Sequence, residues 1–184
     1  MPDLSCPTEI SHESPFTLDE GKKWYAIYVR SRHEIKVAEQ LKQKGITHLV
    51  PMVKEIRQWS DRKKKVKVPL FRGYVFVNID LSKEKFSVLQ NDGVVKFIGI
   101  KGVPSMIPQH EIRWLNILNE NTETVKYETD IQVGESVSVV AGPFKGIQGE
   151  VIEVRNTSRL VISFESISQI ISIEIAPDLL KKIS

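Results

Sequence analysis

The stretch GPFKGIQGEVIEV, residues 142–154, places three glycines and one proline within eight residues and then alternates apolar with polar residues. Proline fixes its own φ and cannot donate to a strand ladder, so Gly142-Pro143 predicts a turn at the end of a strand. Gly146 and Gly149 allow positive φ or close backbone approach where the next strand begins to bend. Small barrels need such bends to close, and the stretch therefore favours a small barrel.

The sequence around this stretch predicts further short strands separated by turns. They are GESVSVVAG, GIQGEVIEVR, RLVISFES and QIISIEIA, a regular series that is typical of a small barrel over residues 131–184. The final PDLLKKIS predicts one short helical turn. Before the barrel, NTETVKYETD, residues 121–130, is polar, acidic and aperiodic, and predicts a linker.

The N-terminal half alternates strand and helix patterns. KWYAIYVRS predicts a strand, and the helix after it would begin with a capping box of Ser31 and Glu34 and end at Gly45. Two runs flanking Ser60-Asp61 predict a β-hairpin or an exposed loop. Further elements follow in order: a buried central strand over residues 73–80, a short helix in KEKFSVLQ, a turn at Asn91-Asp92-Gly93, a strand in VVKFIGI, and a helix from Pro108 to about Glu120.

Charge is distributed unevenly along the chain. Residues 1–21 hold five acids and no Lys or Arg, in a proline-containing segment that predicts a flexible acidic tail. Residues 22–72 hold 15 Lys and Arg against 4 acids, whereas residues 73–184 are nearly balanced, with 11 against 14. Such a block is expected of a surface that meets phosphates, and it also fits a merely solvated face.

Several functional classes are disfavoured by what the chain lacks. Cys6 stands alone, so a disulfide framework is excluded and a reducing cytoplasm fits. No apolar run has the length of a membrane span, and the first residues do not resemble a secretory signal. The four histidines lack metal-ligand spacing, and no phosphate-binding loop or nucleophile elbow occurs. We therefore expect neither an enzyme nor a resident cofactor or metal.

Two resemblances cover residues 22–184. VGESVSVVAGPFKGIQGEVIEV resembles the KOW motif of ribosomal proteins and NusG-type transcription factors. WYAIYVRSRHEIKVAEQL, VPMVKEIRQW, PLFRGYVFV and VVKFIGIKGVPSMIP, in this order, resemble a NusG N-terminal domain. The chain is thus identified as a member of the NusG family of transcription elongation factors, and PLF with YVF is more similar to the specialised RfaH-like and UpxY-like antiterminators.

The resemblance implies an α+β architecture with two domains. Residues 22–120 would form an antiparallel sheet with flanking helices that binds the RNA polymerase clamp through an apolar pocket. Tyr28, Phe71, Tyr74 and Phe76 are placed at that pocket, and Tyr74 and Phe76 share one face of a strand. Aromatic side chains are common interface anchors, although both could simply fill the core.

The family also implies contact with the non-template DNA strand. The candidate residues carry positive charge: Arg30, Arg32, Lys36 and Lys44 near the first helix, and Arg62, Lys63, Lys64, Lys65 and Lys67 in the hairpin. Arginine can hold phosphate bidentately or read guanine, and the hairpin run is expected to touch the backbone without reading sequence. Trp59 could stack on a base or pack against the hairpin.

The C-terminal SH3-like KOW barrel, residues 131–184, docks partners in this family, namely a termination factor or a ribosomal protein. Phe144 is expected in an exposed loop as a docking contact. Two other functions stay open: a housekeeping NusG that assists termination and couples transcription to translation, and a ribosome-associated KOW protein that binds RNA. A barrel that refolds into helices, as in one specialised branch, also stays open.

Overall fold

The computed structural model describes residues 21–58, 63–121, 125–127, 134, 136–154, 157–176 and 179–183. Within these ranges the protein has an N-terminal unit of strands and helices and a C-terminal unit made almost entirely of strands. This confirms the predicted α+β class. The acidic tail with Cys6, the hairpin tip with Trp59 and Arg62, and much of the predicted linker lie outside the described residues.

The N-terminal unit follows the predicted order of elements. These are β1 (Lys23–Val29), α1 (Glu34–Gln43), β2 (Thr47–Leu49), β3 (Met52–Gln58), β4 (Lys63–Pro69), β5 (Tyr74–Ile79), α2 (Leu81–Leu89), β6 (Val94–Phe97), β7 (Gly99–Ile100), β8 (Val103–Pro104) and α3 (Gln109–Glu120). Four strands form an antiparallel sheet in the order β2-β5-β1-β6, while β3-β4 and β7-β8 are separate two-stranded hairpins. The buried strand β5 is interior to the sheet, as predicted.

The two faces of the main sheet pack against different elements. Tyr25, Ile27 and Val29 of β1 join a core with buried residues of α1 and α2. Trp24 and Ala26 lie on the opposite face because successive side chains of a strand alternate, and their core includes the buried residues of α3. The residues that were predicted to line a polymerase pocket lie on this second face.

The start of α1 differs from the prediction. His33 is the N-cap residue and makes no side-chain capping bond, while Ser31 lies in the preceding turn. The Glu34 carboxylate instead turns inward and accepts a hydrogen bond from the backbone N–H of Gly73, 2.7 Å away. The predicted capping box is therefore wrong, because Glu34 is engaged by another element. The helix ends before Gly45, as predicted.

The C-terminal unit is a single six-stranded antiparallel sheet. Its strands are β9 (Val125–Tyr127), β10 (Ser136–Val139), β11 (Gln148–Val154), β12 (Thr157–Phe164), β13 (Gln169–Glu174) and β14 (Leu180–Lys182), in the order β14-β10-β11-β12-β13-β9. A 3-10 turn, Glu165–Ile167, joins β12 to β13. Its inward residues form one core, so the unit is the strand-rich domain that the motif predicts.

In the C-terminal unit, two short strands were not predicted as such. Val125–Tyr127 lies within the predicted linker and pairs with β13. Leu180–Lys182 was expected in a helical turn but pairs with β10, so that prediction is wrong. The physical reason is that β10 offers an open edge and that Leu179 and Leu180 pack against the core when the segment is extended.

The glycine-rich turn has the predicted geometry. Gly142 and Gly146 have φ of 79° and 90°, in the left-handed region that favours glycine. A Cβ on Gly149 would collide with the carbonyl oxygen of Val161 on the neighbouring strand. Turn and close strand approach are thus both present, and they lead directly into β11.

The two units share one core on the second sheet face. The ring of Phe164, at the end of β12, lies 5.3 Å from the ring of Phe71 and 6.2 Å from that of Trp114, measured between centroids. The side-chain amide of Asn121 donates to the carbonyl of Pro143 at 3.3 Å. The strand-rich unit therefore docks on the N-terminal unit through an aromatic side chain.

Candidate functional site

The four predicted pocket aromatics lie together on the second sheet face. β1 and β5 pair so that Tyr28 is opposite Tyr74 and Ala26 is opposite Phe76. The Tyr28 and Tyr74 rings meet edge to face at 5.7 Å, and those of Phe71 and Phe76 at 6.3 Å. We call these four residues the aromatic face.

Accessibility changes along the aromatic face. Tyr28 is 40% exposed and Tyr74 is partly buried, whereas Phe71 and Phe76 are 1% exposed. Phe71 is covered in part by Phe164 of the strand-rich unit. In this conformation only the Tyr28–Tyr74 end of the aromatic face can meet a partner.

The backbone at Gly73 positions Tyr28. Gly73 has φ of 81°, donates its N–H to Glu34 and accepts at its carbonyl from the N–H of Val29 at 2.8 Å. A Cβ at this position would lie 2.9 Å from the Tyr28 ring. Because Gly73 has no side chain, the Tyr28 ring can lie directly against its backbone. The buried Glu34 carboxylate fixes the turn at Gly73 by accepting from its N–H.

Two predicted nucleic-acid-binding residues converge on one carboxylate. Lys36 forms an ion pair with Asp92 at 2.6 Å, and Arg30 lies 3.7 Å from the same carboxylate. The hydrogen bond and the charge of Lys36 lower the pKa of Asp92 below its usual range. Both basic side chains stay more than half exposed, so they form a positive cluster beside the turn that precedes α1. Arg32, with φ of 63°, is exposed in the same turn.

Lys44 is not part of that cluster. It lies beyond the C-terminal end of α1, where its ammonium donates to the carbonyl of Ser87 on α2 at 3.0 Å. Its surroundings are those of a structural contact between two helices. Its predicted role at nucleic acid stays a prediction.

The β3-β4 hairpin carries a lysine-rich surface. Its register places Lys54 directly opposite Lys67, and Lys65 shares their face. All three are exposed, whereas Val53 on the other face packs against the core. The hairpin thereby presents positive charge on the face that points away from the core. We call these three residues the hairpin lysines; the backbones of Lys63 and Lys64 extend the same strand.

Phe144 does not lie where it was expected. It is 4% exposed and belongs to the core of the strand-rich unit together with Val139 and Ile147. The expectation of an exposed loop residue is wrong, because the positive-φ glycines on either side fold the turn back over the barrel. Phe164, in contrast, does contact the N-terminal unit.

Sequence reasoning missed both Phe164 and its contact Trp114. Phe164 continues the inward alternation of Leu160 and Ile162, so its spacing resembles that of an ordinary core residue. Trp114 lies on a helix whose apolar period was recognised, but the pattern does not say what covers the helix. No signal within either segment identifies the other as a partner.

A groove of about 680 Å³ lies beside this contact. One wall is the start of α3 with the β7-β8 hairpin, and the other is the turn Glu165–Ile167 with Ser163 and Ser168. Glu111 lies within it and is 3% exposed. Burial raises the pKa of the Glu111 carboxyl, although hydrogen bonds from Ser166 act in the opposite direction. Within the described residues, no His, Cys, Asp and Glu side chains are grouped as a metal site.

Comparison with known proteins identifies the family of the chain. The family model described as "Transcription termination factor nusG" matches residues 22–116, more than half of the chain and nearly all of the N-terminal unit. The chain belongs to the NusG family. The resemblance drawn from the motifs is thereby confirmed at the level of the family, which consists of transcription factors.

NusG proteins of known name match nearly the whole chain. The transcription termination/antitermination proteins NusG of Staphylococcus carnosus and Staphylococcus aureus are 27% and 28% identical over 178 residues, covering 89% of this chain and 97% of theirs. A solved structure described as "Domain interaction in Thermotoga maritima NusG" is 25% identical, with a TM-score of 0.54, and covers 89% of this chain and 98% of its own. In the part of the chain that is described, no helix is long and apolar enough to cross a membrane.

Proposed function

We propose that this protein binds the clamp of RNA polymerase through its aromatic face and acts as a transcription elongation and antitermination factor in the cytoplasm. The observation that carries the proposal is the aromatic face, where Tyr28 and Tyr74 stay accessible beside a buried pair. Tyrosines with an apolar ring and a polar tip supply contact area at low entropic cost, as interface anchors do. Binding the polymerase in its active form would shift it away from paused states.

We also propose that the basic residues meet the non-template DNA strand. The hairpin lysines and the Arg30–Lys36 cluster present positive charge from two different elements, and such charge suits contact with a phosphate backbone. These contacts would position the protein, whereas the arginines could also hold a base. Contact with nucleic acid stays a prediction for five further residues: Arg32, Arg62, Lys63, Lys64 and Lys44.

The contact between the two units supports a competition. Phe164 covers Phe71, which belongs to the same aromatic face that the polymerase would occupy. The strand-rich unit and the polymerase therefore cannot both bind this face fully at once. A domain interaction is described for the NusG of Thermotoga maritima. We infer that the strand-rich unit must leave the aromatic face before full engagement. Once released, it is free to dock a ribosomal protein or a termination factor, with Phe164 exposed.

Whether the role is specialised or general is a finer question. The PLF and YVF segments favour a specialised antiterminator of long operons, such as surface-polysaccharide loci, whereas the named relatives are NusG proteins themselves. Transcription in vitro on a long template, with and without the leader of the operon, would separate the two. A specialised factor reduces pausing only when its DNA element is present.

A pull-down tests the main proposal. Tagged protein is expected to recover core RNA polymerase from nuclease-treated lysate. Tyr74→Ala is expected to lower the affinity for polymerase by about tenfold or more if Tyr74 is an anchor. Phe86→Ala is the matched control, because Phe86 is an aromatic residue that is 74% exposed on α2, on the other side of the sheet. Recovery of ribosomal particles without polymerase would contradict the proposal and favour the ribosome-associated alternative.

A further inference from the structure

We propose that Glu111 is a proton-sensitive latch between the two units. The latch permits closure when the buried Glu111 side chain is protonated, and it weakens the closed conformation when the side chain is charged, so that closing takes up a proton at this group. The proposal rests on the exchange between closed and open conformations inferred above. It explains how an aromatic contact between the units can stay weak enough for polymerase to displace.

The geometry places Glu111 at the boundary itself. It lies in the first turn of α3, is 3% exposed, and faces the turn Glu165–Ile167 of the strand-rich unit. The hydroxyl and the backbone of Ser166 hydrogen-bond to its carboxylate. Because Glu111 and Ser166 belong to different units, opening the protein exposes the carboxylate and breaks both bonds.

The charges around the carboxylate act in opposite directions. Of the residues that line the groove, His110, Glu111 and Glu165 can titrate. His110, when protonated, favours the charged form of Glu111, and the Glu165 carboxylate opposes it. Removal of water is the largest effect, so the Glu111 pKa in the closed conformation is raised above its ordinary value of 4.5.

The direction of the pH effect follows from this shift. In the open conformation the exposed carboxylate has its ordinary pKa, so the closed conformation binds more protons. Closing is therefore strongest below pH 4.5 and weakens as pH rises through the raised pKa of the closed form. Above that raised pKa the ionised carboxylate opposes closure, because a buried charge is stabilised only in part by two hydrogen bonds.

Energy transfer between two dyes on the full-length chain tests the latch. Dyes are attached to K42C on α1 and K181C on β14, both exposed positions, in a C6S background. Single-molecule transfer is recorded between pH 4 and pH 8 for the labelled protein with Glu111 intact, for Glu111→Gln and for Glu39→Gln. The last variant makes the same charge change at an exposed position of α1 and is the matched control.

The expected result is a high-transfer population that declines as pH rises in the wild type and in E39Q. In E111Q this population persists, and at pH 8 its closed-to-open ratio exceeds that of wild type by roughly threefold or more, which moves an even distribution to about three to one. His110→Gln keeps the pH dependence if Glu111 carries it. Loss of the dependence in H110Q, with retention in E111Q, would assign the proton to His110 and overturn the proposal.

Two other outcomes distinguish this latch from the proposed competition. A high-transfer population that is independent of pH and equal in E111Q and E39Q overturns the latch and leaves the competition intact. Absence of any high-transfer population at every pH overturns both, because the units would then not close in solution.

Discussion

At the scale of single residues, the aromatic face depends on Gly73. This residue combines φ of 81°, a hydrogen bond to the buried Glu34 carboxylate and direct contact with the Tyr28 ring. A Cβ would strain the backbone and displace the ring at the same time. The residue that shapes the candidate interface is thus one that has no side chain of its own.

Gly73→Ala is expected to destabilise the protein by about 2–3 kcal/mol, the sum of a left-handed backbone penalty and a steric clash. Gly45→Ala is the matched control, because Gly45 has φ of 68° but nothing within 4 Å of its added Cβ, so it should cost only about 1 kcal/mol. Chemical denaturation followed by tryptophan fluorescence measures both. Equal losses in the two variants would mean that the contact with Tyr28 contributes nothing.

The residue scale also shows what a sequence can and cannot specify. Alternation alone placed Tyr74 and Phe76 on one face of a strand, and the structure confirms it. Reasoning from the turn motif failed at Phe144, because a turn pattern specifies φ angles but not the side of the turn on which a ring packs. Sequence reasoning failed also at Glu34, whose spacing fits a capping box while its partner is 39 positions away.

At the scale of elements, α2 shows a complete N-terminal cap. The Asp80 carboxylate accepts from the backbone N–H and the hydroxyl of Ser82, and the Glu84 carboxylate accepts from the N–H of Asp80 at 2.9 Å. The Ser82 and Lys83 side chains lower the pKa of Asp80 to about 2. Because the pKa of Asp80 is depressed in the folded protein, the cap's contribution to stability is present above pH 3.8 and is lost as pH falls toward 2.

Asp80→Ala is therefore expected to lower stability at neutral pH and to remove the part of the acid-induced loss between about pH 4 and pH 2 that belongs to this cap. Denaturation midpoints measured across this range check the expectation, with hydrogen exchange of the first-turn amides of α2 as the local readout. An unchanged slope in D80A would contradict it.

The β3-β4 hairpin gives a second test at this scale. Simultaneous replacement of the hairpin lysines, K54A/K65A/K67A, is expected to weaken single-stranded DNA binding uniformly across sequences and to reduce the slope of log affinity against log salt by about 2. The control triple K145A/K181A/K182A removes the same charge from exposed positions of the strand-rich unit. Equal effects of the two triples would show general electrostatics without a hairpin site.

Element prediction from the sequence succeeded where a segment carries its own signal. The strands β1 and β5, the helix α3 and the hairpin each have a period or a turn that identifies them. The strands β9 and β14 are three residues long, and each exists because another strand offers an edge. Such pairing is decided by distant residues, so local propensity assigned one to a linker and the other to a helical turn.

At the scale of the whole molecule, the decisive contact is one that no local pattern reveals. Phe164 and Phe71 are 93 positions apart, and each alone has the spacing of a core residue. Their contact makes the aromatic face depend on the position of the other unit. Under the proposed competition, the apparent dissociation constant for polymerase is the intrinsic one divided by the fraction of molecules that are open.

Phe164→Ala should therefore tighten polymerase binding, whereas Tyr74→Ala weakens it. If the closed form holds about nine-tenths of the wild-type molecules, full opening gains about tenfold in apparent affinity. Titration of labelled protein with core polymerase measures the change, and circular dichroism verifies that the strand-rich unit stays folded. Ile170→Ala, a 40% exposed apolar residue of β13 outside the contact, is the control. A folded F164A protein that binds polymerase no better than this control would show that the two units do not compete for the aromatic face, and Phe164 would then be a core residue only.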